Sequence, residues 1–253
     1  MKTEILYGIH PVIEALKANR RSFASIHISK DRARKGSEWI EALMALAEPL
    51  KVPIITVPSS QLTSMADTDM HQGVAAKVSP YPLKGLSEIL GRSESATSNR
   101  FLLILDHVVD PHNFGALIRT AHCVDIGGIL VPKDRSAPPT ATVSKVSSGA
   151  LEHVSMARVT NIVSTISILK ENGMWVVGLD KGEGGSIFSL TFPPSVAIVI
   201  GGEHRGIRPL VKKHCDLLCS IPQAGEIDSL NASVAGGVAM YEVYRQRHQS
   251  EAS

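Results

Sequence analysis

At 253 residues, with 43% hydrophobic side chains and a net charge of only +2, the chain can bury a substantial core and has room for two modest domains. No apolar run approaches the roughly 20 residues of a membrane span, and MKTEILYGIH carries no apolar signal-peptide core, so a soluble cytoplasmic protein is expected. The three cysteines, Cys123, Cys215 and Cys219, form neither a CxxC pair nor an even framework, which argues for reduced thiols.

Residues 1–80 read as a small α/β unit. A helix is expected over Pro11 to Ala18, a strand at SIHIS (25–29), a helix from Glu38 to Glu48, and strands at PIITV (53–57) and GVAAKV (73–78). Seven bases face one acid, Asp31, between Lys17 and Lys35. Such a run is either a solvated surface or a patch that neutralises phosphates. Residues 81–100 give up sustained apolar patterning for Ser, Gly and charge and read as a linker, with one short helix at its start.

A second α/β pattern fills 101–253. FLLILD (101–106) is a fully apolar strand, GALIRTAHCV (115–124) a helix, GGILVP (127–132) a strand and TVSKVSSGALEHV (142–154) a helix. NIVSTISILKEN (161–172) is helical; MWVVGLD (174–180), VAIVIGG (196–202) and LLCSIP (217–222) are strands, the last followed by a C-terminal helix. Apolar strands alternating with helices predict a mostly parallel sheet covered on both faces.

No GxxxxGK[ST], HExxH or GxSxG occurs, and no GxGxxG follows a strand, which removes support for nucleotide hydrolysis, zinc proteolysis, an esterase elbow and an ordinary dinucleotide fold. Three segments instead place polar side chains at the ends of apolar runs: DPHNFGALIRTAHC (110–123), AIVIGGEHRGI (197–207) and SIPQAGEIDSLNASVAGGVAMYEVYRQR (220–247). Loops and helix starts are where α/β proteins keep their binding sites. Asn113 is either a helix cap or a side chain that fixes a loop or orients Arg119. Glu203 is either a surface carboxylate or one that pairs with Arg119 or accepts a hydrogen bond from Asn113. Ser229 and Asn231 precede the last helix, where they either cap it or help hold a phosphate or a reacting nucleotide. Gly236 and Gly237 cost about 1 kcal/mol each in a helix interior, which suggests close packing against a second subunit or within the chain.

NFGALIRTA resembles motif 1 of the SpoU family of RNA ribose 2′-O-methyltransferases, VIGGEHRGI resembles motif 2, and IPQAGEIDSLNASVAGGVAMYE resembles motif 3. YGIHPVIEAL (7–16), HQGVAAKV (71–78) and KVSSGALEHV (145–154) resemble the branch that methylates a guanosine of 23S rRNA. The resemblance implies a SPOUT-type parallel sheet with a C-terminal trefoil knot, S-adenosylmethionine bound in the knot, and an active site at a homodimer interface. It also implies that residues 1–80 are an RNA-binding extension. Gly201, Ile221 and Leu230 match positions where the family holds the cofactor through main-chain groups. Arg119 matches its essential arginine, with Asn113, Glu203, Ser229 and Asn231 completing the catalytic set and no metal required. In motif 2, Gly202 and His204 depart from the usual Asn and Gly. A tRNA ribose methyltransferase and a non-catalytic RNA-binding or ribosome-assembly factor on the same fold are the alternatives.

Overall fold

The computed structural model describes residues 3–91, 100–182, 184–203, 205–226 and 229–249; His204 and residues 92–99 of the expected linker lie outside them. The chain opens with β1 (Glu4–Tyr7), α1 (Ile9–Ala18), β2 (Phe23–Ser29) and α2 (Lys30–Lys35). These are followed by α3 (Glu38–Ala47), β3 (Ile54–Val57), α4 (Ser59–Ala66) and β4 (Val74–Val78). Next come α5 (Leu86–Leu90), β5 (Phe101–Asp106), α6 (Pro111–Cys123), β6 (Gly128–Pro132) and α7 (Ala141–Val146). The remainder is β7 (Met156–Val159), α8 (Ile162–Glu171), β8 (Trp175–Leu179), β9 (Gly185–Ser186), β10 (Val196–Gly201), α9 (Pro209–His214), β11 (Leu217–Ser220) and α10 (Ala232–Gln249). Among the described residues no helix is long and apolar enough to cross a membrane.

Two compact units result, and neither is a contiguous stretch of chain. The first comprises residues 1–82 and 138–153, the second 83–137 and 154–253. In the first, β4 runs antiparallel to both β1 and β2 while β2 and β3 are parallel, giving the order β1-β4-β2-β3. Leu6, Val12, Leu16, Ile26, Leu43 and Val74 form its core.

Residues 138–153 pack with this first core, although they fall within the stretch 101–253 expected as the second domain. Ala141 packs against the first unit's apolar clusters. Glu152, 1% exposed, receives Arg21 Nε at 2.7 Å and Ser144 Oγ at 2.8 Å. Arg21 also donates to Glu4 at 2.9 Å and to the Ser79 carbonyl at 3.2 Å. Breaking a buried, multiply bonded pair of this kind typically costs about 3–5 kcal/mol, because the remaining charge stays buried alone. Arg21 is therefore spent on folding, and Lys17 pairs with Glu14 at 2.8 Å, so the basic run between Lys17 and Lys35 is not uniformly a phosphate patch. The single helix expected over 142–154 is also broken. After α7 the chain passes through left-handed Ser148 (φ 54°) and Gly149 (φ 87°) into a 3-10 turn at Ala150–Glu152. A Cβ on Gly149 would lie 2.7 Å from Glu14 Cβ and 3.0 Å from the His10 carbonyl oxygen, so close packing on α1 sets the break.

The second unit is a seven-stranded sheet, order β7-β6-β5-β10-β8-β11-β9, with every pairing parallel. All six residues of β5 are buried, as a central strand covered on both faces requires. Leu102, Ile104, Ala197 and Val199 meet Ile162, Ile166 and Leu169 of α8 on one face. On the other, α6 and α10 pack together. Asp110 caps α6 by accepting from the amides of His112 (3.2 Å) and Asn113 (3.1 Å), with Pro111 pre-set for the first turn.

The two glycines of α10 differ. A Cβ on Gly236 would lie 2.3 Å from Leu117 Cδ2 of α6, whereas one on Gly237 would meet only Thr120 Cγ2 at 3.9 Å. The Gly236 contact is thus internal to the chain and does not mark a place where two subunits' backbones meet. Gly236→Leu is expected to lower stability by about 1–3 kcal/mol through overpacking. Gly237→Leu should stay within about 1 kcal/mol of the parent, since it gains helix propensity and has room. Thermal unfolding of the two single variants checks the contrast.

Candidate active site

The strands β10, β8 and β11 are neighbours, and their carboxyl ends deliver three loops to one place. Open parallel sheets keep ligands at such carboxyl ends. A cavity of about 750 Å³ lies there, and its walls include Asp180, Gly201, Glu203, Ile221, Ser229 and Leu230. The three expected cofactor positions, Gly201, Ile221 and Leu230, therefore share one cavity.

Gly201 has a different reason to be glycine from the one its position suggests. A Cβ there would fall 2.0 Å from the Gly206 carbonyl carbon and 2.2 Å from the Ile207 nitrogen, so it is the chain's own returning loop that approaches. Gly202 is equally constrained, its missing Cβ lying 2.3 Å from the His107 carbonyl oxygen. The Gly202 amide donates to the Asp106 carbonyl at 2.9 Å and the Gly206 amide to the Gly202 carbonyl at 3.0 Å, which closes the turn.

Asp106, the last residue of β5, is fully buried. Its carboxylate accepts from the Arg208 amide at 3.0 Å and from Arg208 Nε at 2.8 Å, so one side chain fixes the far end of the 201–208 loop. His107 Nδ1 lies 3.2 Å from the same carboxylate, with the backbone at φ 64°. Burial, then the nearby Arg208 charge, lowers the His107 pKa below its ordinary value against the pull of Asp106, which leaves the imidazole neutral at pH 7. Neither Asp106 nor Arg208 was singled out by sequence reasoning; the signal present was an acid closing an otherwise apolar strand.

Beside the cavity, three of the expected catalytic side chains form a chain of hydrogen bonds. Asn113 Nδ2 donates to Glu203 Oε1 at 2.7 Å, and Asn231 Nδ2 donates to Asn113 Oδ1 at 2.9 Å. Asn231 Oδ1 in turn accepts from the amides of Ser233 (2.9 Å) and Val234 (3.4 Å), capping α10. The relay ties α6, the motif 2 loop and the start of α10 together and fixes the Glu203 carboxylate.

Ser229 lines the cavity but is exposed and joins no part of that relay. Arg119 stands apart as well. Six residues on from Asn113 it points about 120° away around α6, exposed, off the cavity wall, and with no ion pair or hydrogen bond of its side chain among the described residues. Burial pushes the pKa of the Cys215 thiol up to about 12 and that of Cys219 up to about 11, so neither of these two is a ready nucleophile.

Residues 100–241 match the model of the SpoU rRNA methylase family, and residues 5–84 match the model for RNA 2′-O ribose methyltransferase substrate binding. YacO of Bacillus subtilis (strain 168), assigned to the TrmH family of tRNA/rRNA methyltransferases, is 39% identical over 97% of this chain and 96% of its own length. A Staphylococcus aureus (strain MSSA476) protein with the same family assignment is 39% identical over 98% of both chains. The fold matches that of the SpoU methyltransferase AviRb from Streptomyces viridochromogenes, solved with AdoMet, at a TM-score of 0.80 and 22% identity, covering 96% of this chain and 90% of that one. With the family model spanning more than half the chain, and with relatives aligned almost end to end, the chain belongs to the SpoU (TrmH) family of RNA methyltransferases.

Proposed function

We propose that the protein uses S-adenosylmethionine to methylate the ribose 2′-hydroxyl of a guanosine in 23S rRNA, in the cytoplasm, as free rRNA or within an assembly particle. The observation that carries this reading is the cavity of about 750 Å³ that gathers Gly201, Ile221 and Leu230, with Glu203 held at its wall by Asn113. Its lining suits the cofactor. Gly201, Gly202, Gly206 and Gly225 put no side chain into it, Ile221 and Leu230 offer apolar surface, and Arg205 offers a cation to a carboxylate. When bound, the sulfonium supplies an already activated methyl group, so the protein's task is alignment and charge management.

In this reading Gly201, Ile221 and Leu230 hold the cofactor, while Glu203, Asn113 and Asn231 orient the ribose side of the site, with Ser229 contacting the nucleotide. Arg119 keeps its proton, since guanidinium does not titrate near neutrality, and clamps an RNA phosphate beside the reacting hydroxyl. Because Arg119 neither lines the cavity nor pairs within the described chain, a second copy supplies it, and the active enzyme is a homodimer. Exposed Val234 (52%) and Tyr241 (51%), seven residues apart on one face of α10, give such a dimer apolar surface. The three loops around the cavity would be the crossings of the trefoil knot.

Labelled S-adenosylmethionine offered with separated rRNA and tRNA pools, followed by nuclease mapping, tests the assignment. Label on a 23S guanosine ribose is expected; label confined to tRNA, or none, overturns it. Arg119→Lys keeps charge but loses the planar fork, and turnover should fall about a hundredfold while cofactor affinity holds. Asn231→Ala and Ser229→Ala should cut turnover to a similar degree. Only Asn231→Ala should also lose about 1 kcal/mol of stability as a cap, measured by calorimetry alongside single-turnover rates. Asp106→Asn removes the charged partner of Arg208, and isothermal titration should then find S-adenosylmethionine bound about tenfold more weakly, as loss of a charge-assisted hydrogen bond implies.

A further inference from the structure

The first unit holds a second cavity, of about 420 Å³, that the catalytic reading leaves unused. Its floor is rigid and its rim is polar. Ser29, His71 and Gly73 are buried, and the turn they form is fixed by directional hydrogen bonds. The Gly73 amide donates to His71 Nδ1 at 2.9 Å, so the ring proton sits on Nε2 and points to Thr63 Oγ1 at 3.2 Å, whose own proton reaches the Ser59 carbonyl at 3.3 Å. The Ser29 amide donates to the Gly73 carbonyl at 2.9 Å. Gln72 (φ 56°) and Gly73 (φ 84°) are both left-handed, a conformation side chains seldom adopt, and it leaves Gln72 exposed on the cavity wall. A Cβ on Gly73 would lie 2.6 Å from Arg32 Cγ, so the glycine makes room for the stem of that arginine.

Of the side chains around this floor, Gln72 Oε1 accepts from the Ile9 amide at 3.4 Å, while the charged ones stay uncommitted among the described residues. Helix α2 buries none of its six residues and carries Lys30, Arg32, Arg34 and Lys35. Arg32 and Lys35 line the cavity with Asp31 and Asp69, yet among the described residues none of these four side chains forms an ion pair or hydrogen bond. A helix that contributes nothing to the core, beside acceptors and donors that ignore one another, is arranged for an outside ligand bearing both an anion and a hydrogen-bonding edge.

We infer that this cavity takes one unpaired nucleotide of the RNA substrate, its phosphate on Arg32 and Lys35 and its base edge on Gln72, Asp31 and Asp69. The inference rests on the RNA reading above and adds to it a base-reading site in the first unit. The volume falls within the roughly 300–1,000 Å³ of small-molecule sites, too small for a duplex. Proteins read RNA sequence on splayed-out bases, since the duplex groove hides their edges. Ionised carboxylates only accept hydrogen bonds, so the base must present N–H donors. Guanine, with two adjacent donors on its pairing edge, matches a carboxylate best and uracil worst.

The test uses the full chain and short unstructured oligouridines that carry one central G, A, C or U, with affinities read by fluorescence anisotropy over a salt series. The parent should prefer the G oligonucleotide over the U one by about tenfold, the discrimination expected of one bidentate base contact. Gln72→Gly and the double variant Asp31→Asn/Asp69→Asn should each erode that preference. Arg32→Gln should weaken all four oligonucleotides alike and flatten the salt dependence by about one counterion. Gln72→Asn, which tolerates the left-handed backbone, guards against a folding effect, and cofactor affinity should be unchanged throughout. A preference that survives in both Gln72→Gly and the double variant overturns the proposal. So does loss only in Arg32→Gln, which would leave a bare phosphate contact. A protein that shows the expected discrimination but methylates no RNA would overturn the proposed function and leave this site standing. Methylation with undiminished discrimination in the variants would do the reverse.

Discussion

A carboxylate cannot sit at the buried end of a central β-strand unless something compensates its charge. Asp106 meets that requirement by binding both the backbone and the guanidinium of Arg208, while its own carbonyl takes the Gly202 amide. The loop between β10 and α9 is thereby tied down at both ends from β5. Gly201 and Glu203, both on the cavity wall, inherit their positions from this anchor. The tight approach of Gly201 and Gly202 to neighbouring backbone follows from the same constraint, for only glycine allows the loop to fold back so closely.

The relay from Glu203 through Asn113 to Asn231 extends the anchoring outward. Each carboxamide is used at both ends, one as donor and acceptor within the relay, the other as donor to it and cap of α10. Such chains orient a carboxylate without burying it, so Glu203 can face a ligand while holding one rotamer. The contrast with Arg119 is instructive. Nothing within the described chain restrains that guanidinium, and its geometry must come from whatever it binds.

The parallel sheet was legible because runs such as FLLIL (101–105) and VAIVIGG are apolar at every position, which only a strand covered on both faces requires. The site segments were legible as polar residues at strand and helix ends. Other features left little trace. Helix α2 buries nothing and α4 buries only Leu62, so neither has an apolar period to detect. Arg21 sits in a basic run that looks solvated, and its burial depends on Glu152, far along the chain. Helical periodicity over 142–154 reveals an apolar face but not which core receives it. Nor does it register the left-handed break at Ser148, for which the adjacent Gly149 is the only local sign. Gly236 and Gly237 look alike in sequence, and only the position of Leu117 distinguishes them.

The discontinuous first unit sets an order on biosynthesis. Its sheet strands β1 to β4 all emerge from the ribosome early, but α7 and Glu152 follow only after β5, α6 and β6 of the other unit have been made. Until then Arg21 has only Glu4 as a charged partner, and part of the apolar surface that Ala141 covers stays wet. Domains ordinarily complete themselves in order of synthesis. Here the nascent N-terminal unit waits for a piece of its successor, so synthesis halted before residue 152 would leave a sheet without its buried counter-charge.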